Sequence, residues 1–403
     1  MRRMRTQVGI VGAGPAGLAL ANVLAGAGVD CLVVERGSRE RVEARQRAGL
    51  LEHRTVRWLR EQGLADGLLA GATRHGWCDF RCLGHTVRVD YGACSGGREH
   101  WVYPQQRLVS DLIGTLEKAG CPPLFSHTVR AVTDIASRRP RLKCEGMEIE
   151  CDYVVGCDGF RGVSRAALPA TGHRVHNRRY PYDWLTVLAE VDRPAEGVVY
   201  AVHRDGFAGM MPRGRNVSRF YLQCPPGDSP AAWPASRIVR ELRGRLTDGS
   251  AEPLPTIGAL PEVRMLRMHS SLTEPLRHGR LLLAGDAAHV LTPSGAKGMN
   301  LAIADAAHLA TALVNRVRHG DGRALAAYSA ERLADARRVL GFSEWLLRLL
   351  HLPAGPDAGS PRAELTDRLA TIRRLAEPGP ESAAFAHRYV GSGAEDGFDD
   401  PPG

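Results

Sequence analysis

The apolar positions divide the chain into three kinds of segment. Short continuous apolar runs at Thr6 to Val11 and Cys31 to Val34 predict buried strands, and Leu18 to Ala27 between them predicts a helix. Alternating apolar and polar residues over Asp79 to Val89 and Val198 to Gln223 predict strands of a second, β-rich region. Met299 to Arg316 and Leu325 to Leu350 carry helical periodicity, and no internal repeat occurs. Pro353 to Pro361, rich in Pro and Gly, marks a linker to a short C-terminal segment whose Gly/Asp/Pro tail is expected to be disordered.

Between the first strand and helix stands Gly12-Ala13-Gly14-Pro15-Ala16-Gly17. Gly12 permits the tight turn, Gly14 lets a pyrophosphate approach the backbone and the positive helix end, and Gly17 lets the helix lie close on the strand. Glu35 closes the second apolar run about 20 residues on, where a carboxylate can accept hydrogen bonds from a ribose diol. Much later come Ala284-Gly285-Asp286-Ala287-Ala288-His289 and Pro293-Ser294-Gly295-Ala296-Lys297-Gly298-Met299-Asn300, which complete the nucleotide site. Together the two halves read as FAD.

The basic start Met1-Arg2-Arg3-Met4-Arg5 resembles the opening of a signal peptide. Spaced glycines interrupt the apolar run behind it, and no stretch of about 18 uninterrupted apolar residues occurs anywhere. We therefore expect a cytoplasmic protein with no membrane partner. The 403 residues, 44% hydrophobic, suit two or three domains around at least one large core. The net charge of +9 comes almost wholly from scattered Arg, since Lys occurs only at Lys118, Lys143 and Lys297. Without a basic run or interleaved aromatics, this charge favours anionic small ligands over nucleic acid. Nine dispersed cysteines suit reduced thiols, and Cys78 and Cys82, the closest pair, lack the neighbours a metal site needs, so no metal is expected.

Five ordered motifs resemble the group A flavoprotein monooxygenases, in particular those that hydroxylate 4-hydroxybenzoate: Arg45-Gln46-Arg47-Ala48-Gly49, Val102-Tyr103-Pro104-Gln105, Cys151-Asp152-Tyr153 leading to Gly156-Cys157-Asp158-Gly159-Phe160, the Gly285-Asp286 segment, and Tyr389-Val390-Gly391. The resemblance runs from about Thr6 to Gly391. It implies an α/β fold: a doubly wound, Rossmann-like FAD-binding domain (1–75, 103–180 and 265–350) interrupted by a β-sheet substrate domain (76–102 and 181–264), with a helical C-terminal segment (351–403). Similar proteins are often dimers, so a homodimer is expected.

Carried over by position, Asp286 resembles the carboxylate on the flavin ribitol, Arg47 and Gln105 resemble contacts to the pyrophosphate and ribitol, and Asp158 joins the cofactor set. The backbone N–H groups of Gly298, Met299 and Asn300 are expected to face the flavin pyrimidine, where a helix N-terminus stabilises a reduced anionic ring. The implied reaction has two stages: NAD(P)H reduces FAD, and O2 then gives a flavin C4a-hydroperoxide that hydroxylates an activated phenol. Tyr200 matches the tyrosine that bonds the phenol, Tyr389 the second relay tyrosine, His75 the relay's solvent end, and Pro293 a backbone carbonyl contact. Thr292, in place of a second proline, is expected to loosen that loop.

Arg213 and Tyr221 match the residues that hold the substrate carboxylate, and Ser294 and Trp184 complete the expected lining. Met211 stands where a serine is usual, and Gly209 where a larger apolar residue is usual. Met211 is expected to push on one side of the ring while Gly209 opens space on another, admitting 3-amino-4-hydroxybenzoate; unsubstituted 4-hydroxybenzoate remains the alternative. Arg36 and Arg45 suit a 2′-phosphate or pyrophosphate, which points to NADPH, with NADH also open. A flavin-dependent halogenase or reductase would use the same scaffold, but the Trp-x-Trp-x-Ile-Pro segment and early lysine of a halogenase are missing. A non-catalytic FAD-binding protein would have no use for Tyr200, Arg213 and Tyr389 together.

Overall fold

The computed structural model describes residues 2–47, 49–214, 216–247, 254–352 and 360–391. Most of the Pro/Gly-rich stretch, the C-terminal tail and Ala48 of the first arginine motif lie outside the described residues. The first strand runs from Arg2 to Val11, four residues longer at its start than the apolar run. Arg2 to Arg5 pair in parallel with Met147 to Glu150, so this basic start is the exposed end of a central strand.

That strand also lies parallel to Cys31–Val34, while Leu281–Leu283 pairs in parallel with Met147–Gly156 on the far side. Every residue of Leu281–Leu283 is fully buried, as expected for a parallel strand covered on both faces. The helices Pro15–Gly26 and Gln105–Lys118 pack together on this core, and Lys297–His319 packs on Pro15–Gly26. Full burial of each Leu is worth about 1.5–3 kcal/mol relative to exposure.

A second sheet is ordered Glu262–Leu266, Asp183–Glu190, Val217–Cys224, Ala208–Gly214, Val198–Val202, Cys78–Cys82, His85–Val89. Strand alternation sorts its residues between two cores. Val199, Ala201, Met210 and Phe220 pack with Ile238, Leu242 and Leu246 of the helix Ala235–Thr247. Tyr200, Tyr221, Trp184 and Phe80 face the other way, onto Phe342 and Leu346 of the helix Arg323–Leu350 and Phe385 and Tyr389 of the helix Pro380–Val390. The second sheet therefore presents its aromatic face to helices from the C-terminal third. A smaller sheet of Leu50–Leu51, His100–Val102 and Thr73–His75 lies between the two regions. Among the described residues, no helix is long and apolar enough to cross a membrane.

Candidate active site

The glycine turn has the local geometry its sequence demands. Gly12 has φ +107°, and a Cβ there would meet the Cys157 carbonyl at 2.5 Å. A Cβ at Gly17 would lie 2.2 Å from the Gly12 carbonyl, so strand and helix approach more closely than any side chain permits. A Cβ at Gly14 would meet nothing within 4 Å, leaving the turn open beside the unpaired N–H groups of a helix with no acid in its first turn. Glu35 braces this turn: its carboxylate accepts from Ala13 N–H at 2.9 Å and Gly37 N–H at 2.8 Å. Each oxygen keeps acceptor capacity for a ribose diol. These features fit a dinucleotide.

Ala16 and Gly285 approach each other, with 3.5 Å between the Ala16 methyl and the position of a Gly285 Cβ, so the distant halves of the site meet. Asp286 is exposed there. Arg47 and Gln105 are brought near one another by pairing of Leu50 with Val102 and a Tyr103 N–H to Gly49 carbonyl bond of 2.8 Å. Arg36 and Arg45 are exposed.

The side chains of Asp158 and Asn300 have structural partners of their own, which leaves their backbones to meet a cofactor. Asp158 turns its carboxylate onto its own loop, accepting from Ser164 N–H at 2.9 Å, because Gly162 leaves room for it; only its backbone lies against the glycine turn. Asn300 uses its side chain to donate to the Leu50 and Ala296 carbonyls at 3.0 Å and accept from Glu52 N–H at 2.9 Å. It fastens the start of the helix Lys297–His319, whose adjoining Gly298 and Met299 are half-buried.

Strand register aligns the substrate residues. Gly209 lies between Tyr200 and Tyr221 in one cross-strand row, and Met211 is two residues along on the same face. The Phe207 ring occupies the space a side chain at Gly209 would take, 2.9 Å from the position of its Cβ. The expected opening at Gly209 is therefore filled by a neighbour. Trp184 is buried, stacks on Phe207 with centroids 4.6 Å apart, and donates its indole N–H to His351 Nε2 at 2.8 Å. It offers substrate a face and no donor.

Arg213 is half-buried, donates through Nη2 to the Arg47 carbonyl, and has no partner for Nη1 among the described residues. Burial and the nearby Arg219 pull its guanidinium down to about 10, against weaker support from Tyr221 and Glu262. An incoming anion would relieve that cost. Pro293 offers its carbonyl to Ala296 N–H at 3.0 Å and keeps a second lone pair, while the buried Ser294 hydroxyl has no partner among the described residues. Thr292 does not loosen this loop: its hydroxyl bonds Ser343 at 2.8 Å, and Ser343 also donates to the Ser294 carbonyl at 3.1 Å.

Tyr200 and Tyr389, both buried, share a 2.8 Å hydroxyl–hydroxyl bond. Burial raises the pKa of both, so both hold their hydrogens at neutral pH. His75 is 4% exposed, which corrects its expected place at the solvent end. The strand Thr73–His75 carries the ring inward, where it meets the Trp77 carbonyl and the Tyr91 hydroxyl. Burial lowers it to about 4, leaving a neutral imidazole.

Sequence reasoning missed several buried groups. Lys297 donates to Glu52 Oε1 at 2.7 Å and to the Arg388 and Tyr389 carbonyls at 2.6 and 2.8 Å, fastening the helix that carries Tyr389. Gly391 ends that helix against Glu52, where a Cβ would lie 1.7 Å from the carboxylate. Asp305 accepts from Gly285 N–H at 2.9 Å and Arg332 at 2.8 Å, and lies 2.7 Å from His289 Nε2, fixing the turn that bears Asp286. The presence of Gly391 in the last motif, of His289 beside the Asp286 motif and of Lys297 in its loop was visible beforehand, but not their partners.

Comparison with known proteins agrees with this geometry. The FAD binding domain family matches residues 5–343. The p-hydroxybenzoate hydroxylase of Acinetobacter baylyi is 36% identical over 355 residues, covering 87% of each chain. The 3-amino-4-hydroxybenzoate 2-monooxygenase PtnB3 of Streptomyces platensis is 30% identical, covering 91% of this chain and 96% of its own. Among solved structures, p-nitrophenol 4-monooxygenase PnpA from Pseudomonas putida has a TM-score of 0.80 at 20% identity over 97% of both chains, a likeness of fold. The chain, with its doubly wound α/β fold and two-part nucleotide site, belongs to the FAD-dependent aromatic monooxygenases.

Proposed function

We propose that the protein hydroxylates a 4-hydroxybenzoate-type aromatic acid, with NADPH as reductant. The observation that carries this reading is the pairing of Arg213, with a free guanidinium N–H, and the Tyr200–Tyr389 hydroxyl pair on one aromatic sheet face. Gly209, which faces Tyr200, and Arg213 are four residues apart on one strand, about 13 Å at ordinary strand rise. A single ring with a carboxylate at one end and a para hydroxyl at the other fits between the side chains of Arg213 and Tyr200, with Arg213 at the irregularity between Pro212 and Gly214.

Bound FAD supplies the redox chemistry that places one oxygen of O2 on the ring. Arg213 and Tyr221 hold the carboxylate. Tyr200 bonds the phenol and, with Tyr389, leads its proton away, which makes the ring more nucleophilic. The exposed Arg36 and Arg45 suit the extra phosphate of NADPH.

Phe207 in the space beside Gly209 and the 36% identity to a p-hydroxybenzoate hydroxylase favour the unsubstituted acid. Met211, half-buried against the aromatic core, and the 30% identity to a 3-amino-4-hydroxybenzoate 2-monooxygenase support the amino-substituted acid as a second reading. Mass analysis of products from protein, FAD, NADPH and air separates them. One added oxygen on 4-hydroxybenzoate supports the first reading, oxygenation of 3-amino-4-hydroxybenzoate alone supports the second, and oxygenation of neither with NADPH or NADH removes both.

A further inference from the structure

Tyr389 and His75 are separated by two buried rings that the proposed chemistry does not yet use. Tyr389 meets Tyr91 and His100 edge-on, at centroid distances of 4.9 and 4.8 Å. His75 lies behind them, 6.2 Å from Tyr91 and 6.0 Å from His100. Tyr91 and His100 are 0% exposed, where apolar side chains would avoid the desolvation of three polar atoms.

The Tyr91 hydroxyl lies 2.7 Å from His75 Nδ1, 2.8 Å from the His75 carbonyl and 3.1 Å from His100 Nδ1. One hydroxyl hydrogen cannot serve all three. When Tyr91 donates to the carbonyl, both imidazoles can direct Nδ1–H at its oxygen, His75 sharing its hydrogen with the Trp77 carbonyl at 3.2 Å. When it donates to one imidazole, that neutral ring carries its hydrogen on Nε2 instead. A turn of one O–H bond is thus coupled to which nitrogen of a histidine is protonated. Both Nε2 atoms are buried and have no hydrogen-bond partner among the described residues, so each ring has an open end.

We propose that Tyr91 and His100 join His75 as one proton-relay unit that carries the substrate's phenolic proton from Tyr389 toward solvent. This rests on the reading of the substrate as a phenol. The phenol O–H bond breaks as a new O–H bond forms on Tyr200, which gives its own hydrogen to Tyr389. Tyr389 passes its hydrogen through one bridging water to His100 Nε2, the His100 Nδ1 hydrogen moves to the Tyr91 oxygen as the Tyr91 hydrogen moves to His75 Nδ1, and His75 gives up the hydrogen on its Nε2. His75 is buried, so its Nε2 passes the proton to solvent through a further water beside the exposed Arg74. One proton leaves the substrate, one enters solvent, and every side chain ends neutral.

The surroundings suit neutral carriers. Burial lowers both imidazoles, His75 to about 4 and His100 well below the ordinary range, with His75 and Lys297 adding to the effect at His100 and the nearby Tyr389 carbonyl opposing it. Cys78, Tyr200 and Glu99 face Tyr91, whose hydroxyl is raised chiefly by burial.

Stopped-flow measurement of proton release with an indicator dye tests this on FAD-loaded protein mixed with 4-hydroxybenzoate or, in parallel, 3-amino-4-hydroxybenzoate. Tyr91→Phe and His100→Asn are expected to slow release by about ten-fold or more, while the flavin spectrum is kept and acid affinity stays within about two-fold. Release at the wild-type rate in both, with Tyr200→Phe slowed, overturns the relay role and leaves the phenol reading intact. No release by wild-type protein that binds either acid overturns the phenol reading, and the relay with it. In the wild-type protein, several hydrogens moving together give a curved dependence of rate on deuterium fraction in mixed H2O and D2O. A straight line overturns the relay even if a variant fails to fold.

Discussion

A guanidinium drawn among protein atoms without a facing carboxylate lowers stability until an anion reaches it, and Arg213 is held in that state. Arg213→Gln is therefore expected to weaken binding of 4-hydroxybenzoate by about 3 kcal/mol, roughly a hundred-fold, while leaving the melting temperature of the acid-free protein unchanged or raised. Titration of the flavin spectrum and a thermal melt check the two halves, and a loss below about five-fold would place the acid group elsewhere. Met211→Ser is the complementary gain. A new hydroxyl donor contributes about 1.5 kcal/mol to a carboxylate, so affinity for the plain acid should rise roughly ten-fold over that for the 3-amino acid. Equal affinities would make Met211 a packing residue only. Its position was readable from sequence, as was that of Gly209; the Phe207 ring filling the space beside Gly209 was not, because that depends on a side chain arriving from a bend in the strand pair.

Between elements, Asp305 does for the Asp286 turn what Glu35 does for the glycine turn: a buried carboxylate fixes a backbone turn of the proposed nucleotide site. It connects the helix Lys297–His319 to the turn and, through Arg332, to the helix Arg323–Leu350. Burial works against its charge, but His289 and Arg332 outweigh it and bring its pKa to about 2. Asp305→Asn should leave Arg332 partly uncompensated, destabilising the protein by about 3–5 kcal/mol and releasing FAD more readily on dilution. A melting temperature and flavin retention equal to wild type would reduce Asp305 to a bystander. The two halves of the nucleotide site were legible because each is local: strand, turn, helix and cap follow one another in the chain. Asp305 and Arg332 were not, since each is an ordinary polar residue on its own helix and gains meaning only when the helices pack. The same holds for Tyr91 and His100, brought beside Tyr389 from distant parts of the chain. The depth of His75 was not legible either, because a motif fixes position in the chain and not burial.

At the scale of the whole molecule, three buried histidines determine how the protein meets acid. Burial depresses His75 to about 4 and His351 to about 3, and places His100 well below the ordinary range. In the unfolded chain all three take up a proton near pH 6.5. A depressed folded pKa means the unfolded state binds more protons between the two values, so stability rises with pH there. The contribution of these histidines is fully present above about pH 6.5 and is lost as pH falls toward 4, on the order of 1 kcal/mol per histidine per pH unit. Asp305 adds its loss only from about pH 4 downward, so the first loss of stability on acidification belongs to the histidines. The urea midpoint should therefore fall markedly between pH 7.5 and 5.5, in a range where paired carboxylates remain charged. His351 tests the assignment most cleanly, because it lies among Tyr182, Trp184 and Phe207, away from the relay rings. Gln at this position can still accept from the Trp184 indole N–H but does not titrate. His308 is lowered as well, by burial, so His351→Gln should reduce the midpoint difference by about a quarter to a third, since one of four histidines with a lowered folded pKa no longer titrates. An unchanged difference would assign the acid sensitivity to other groups.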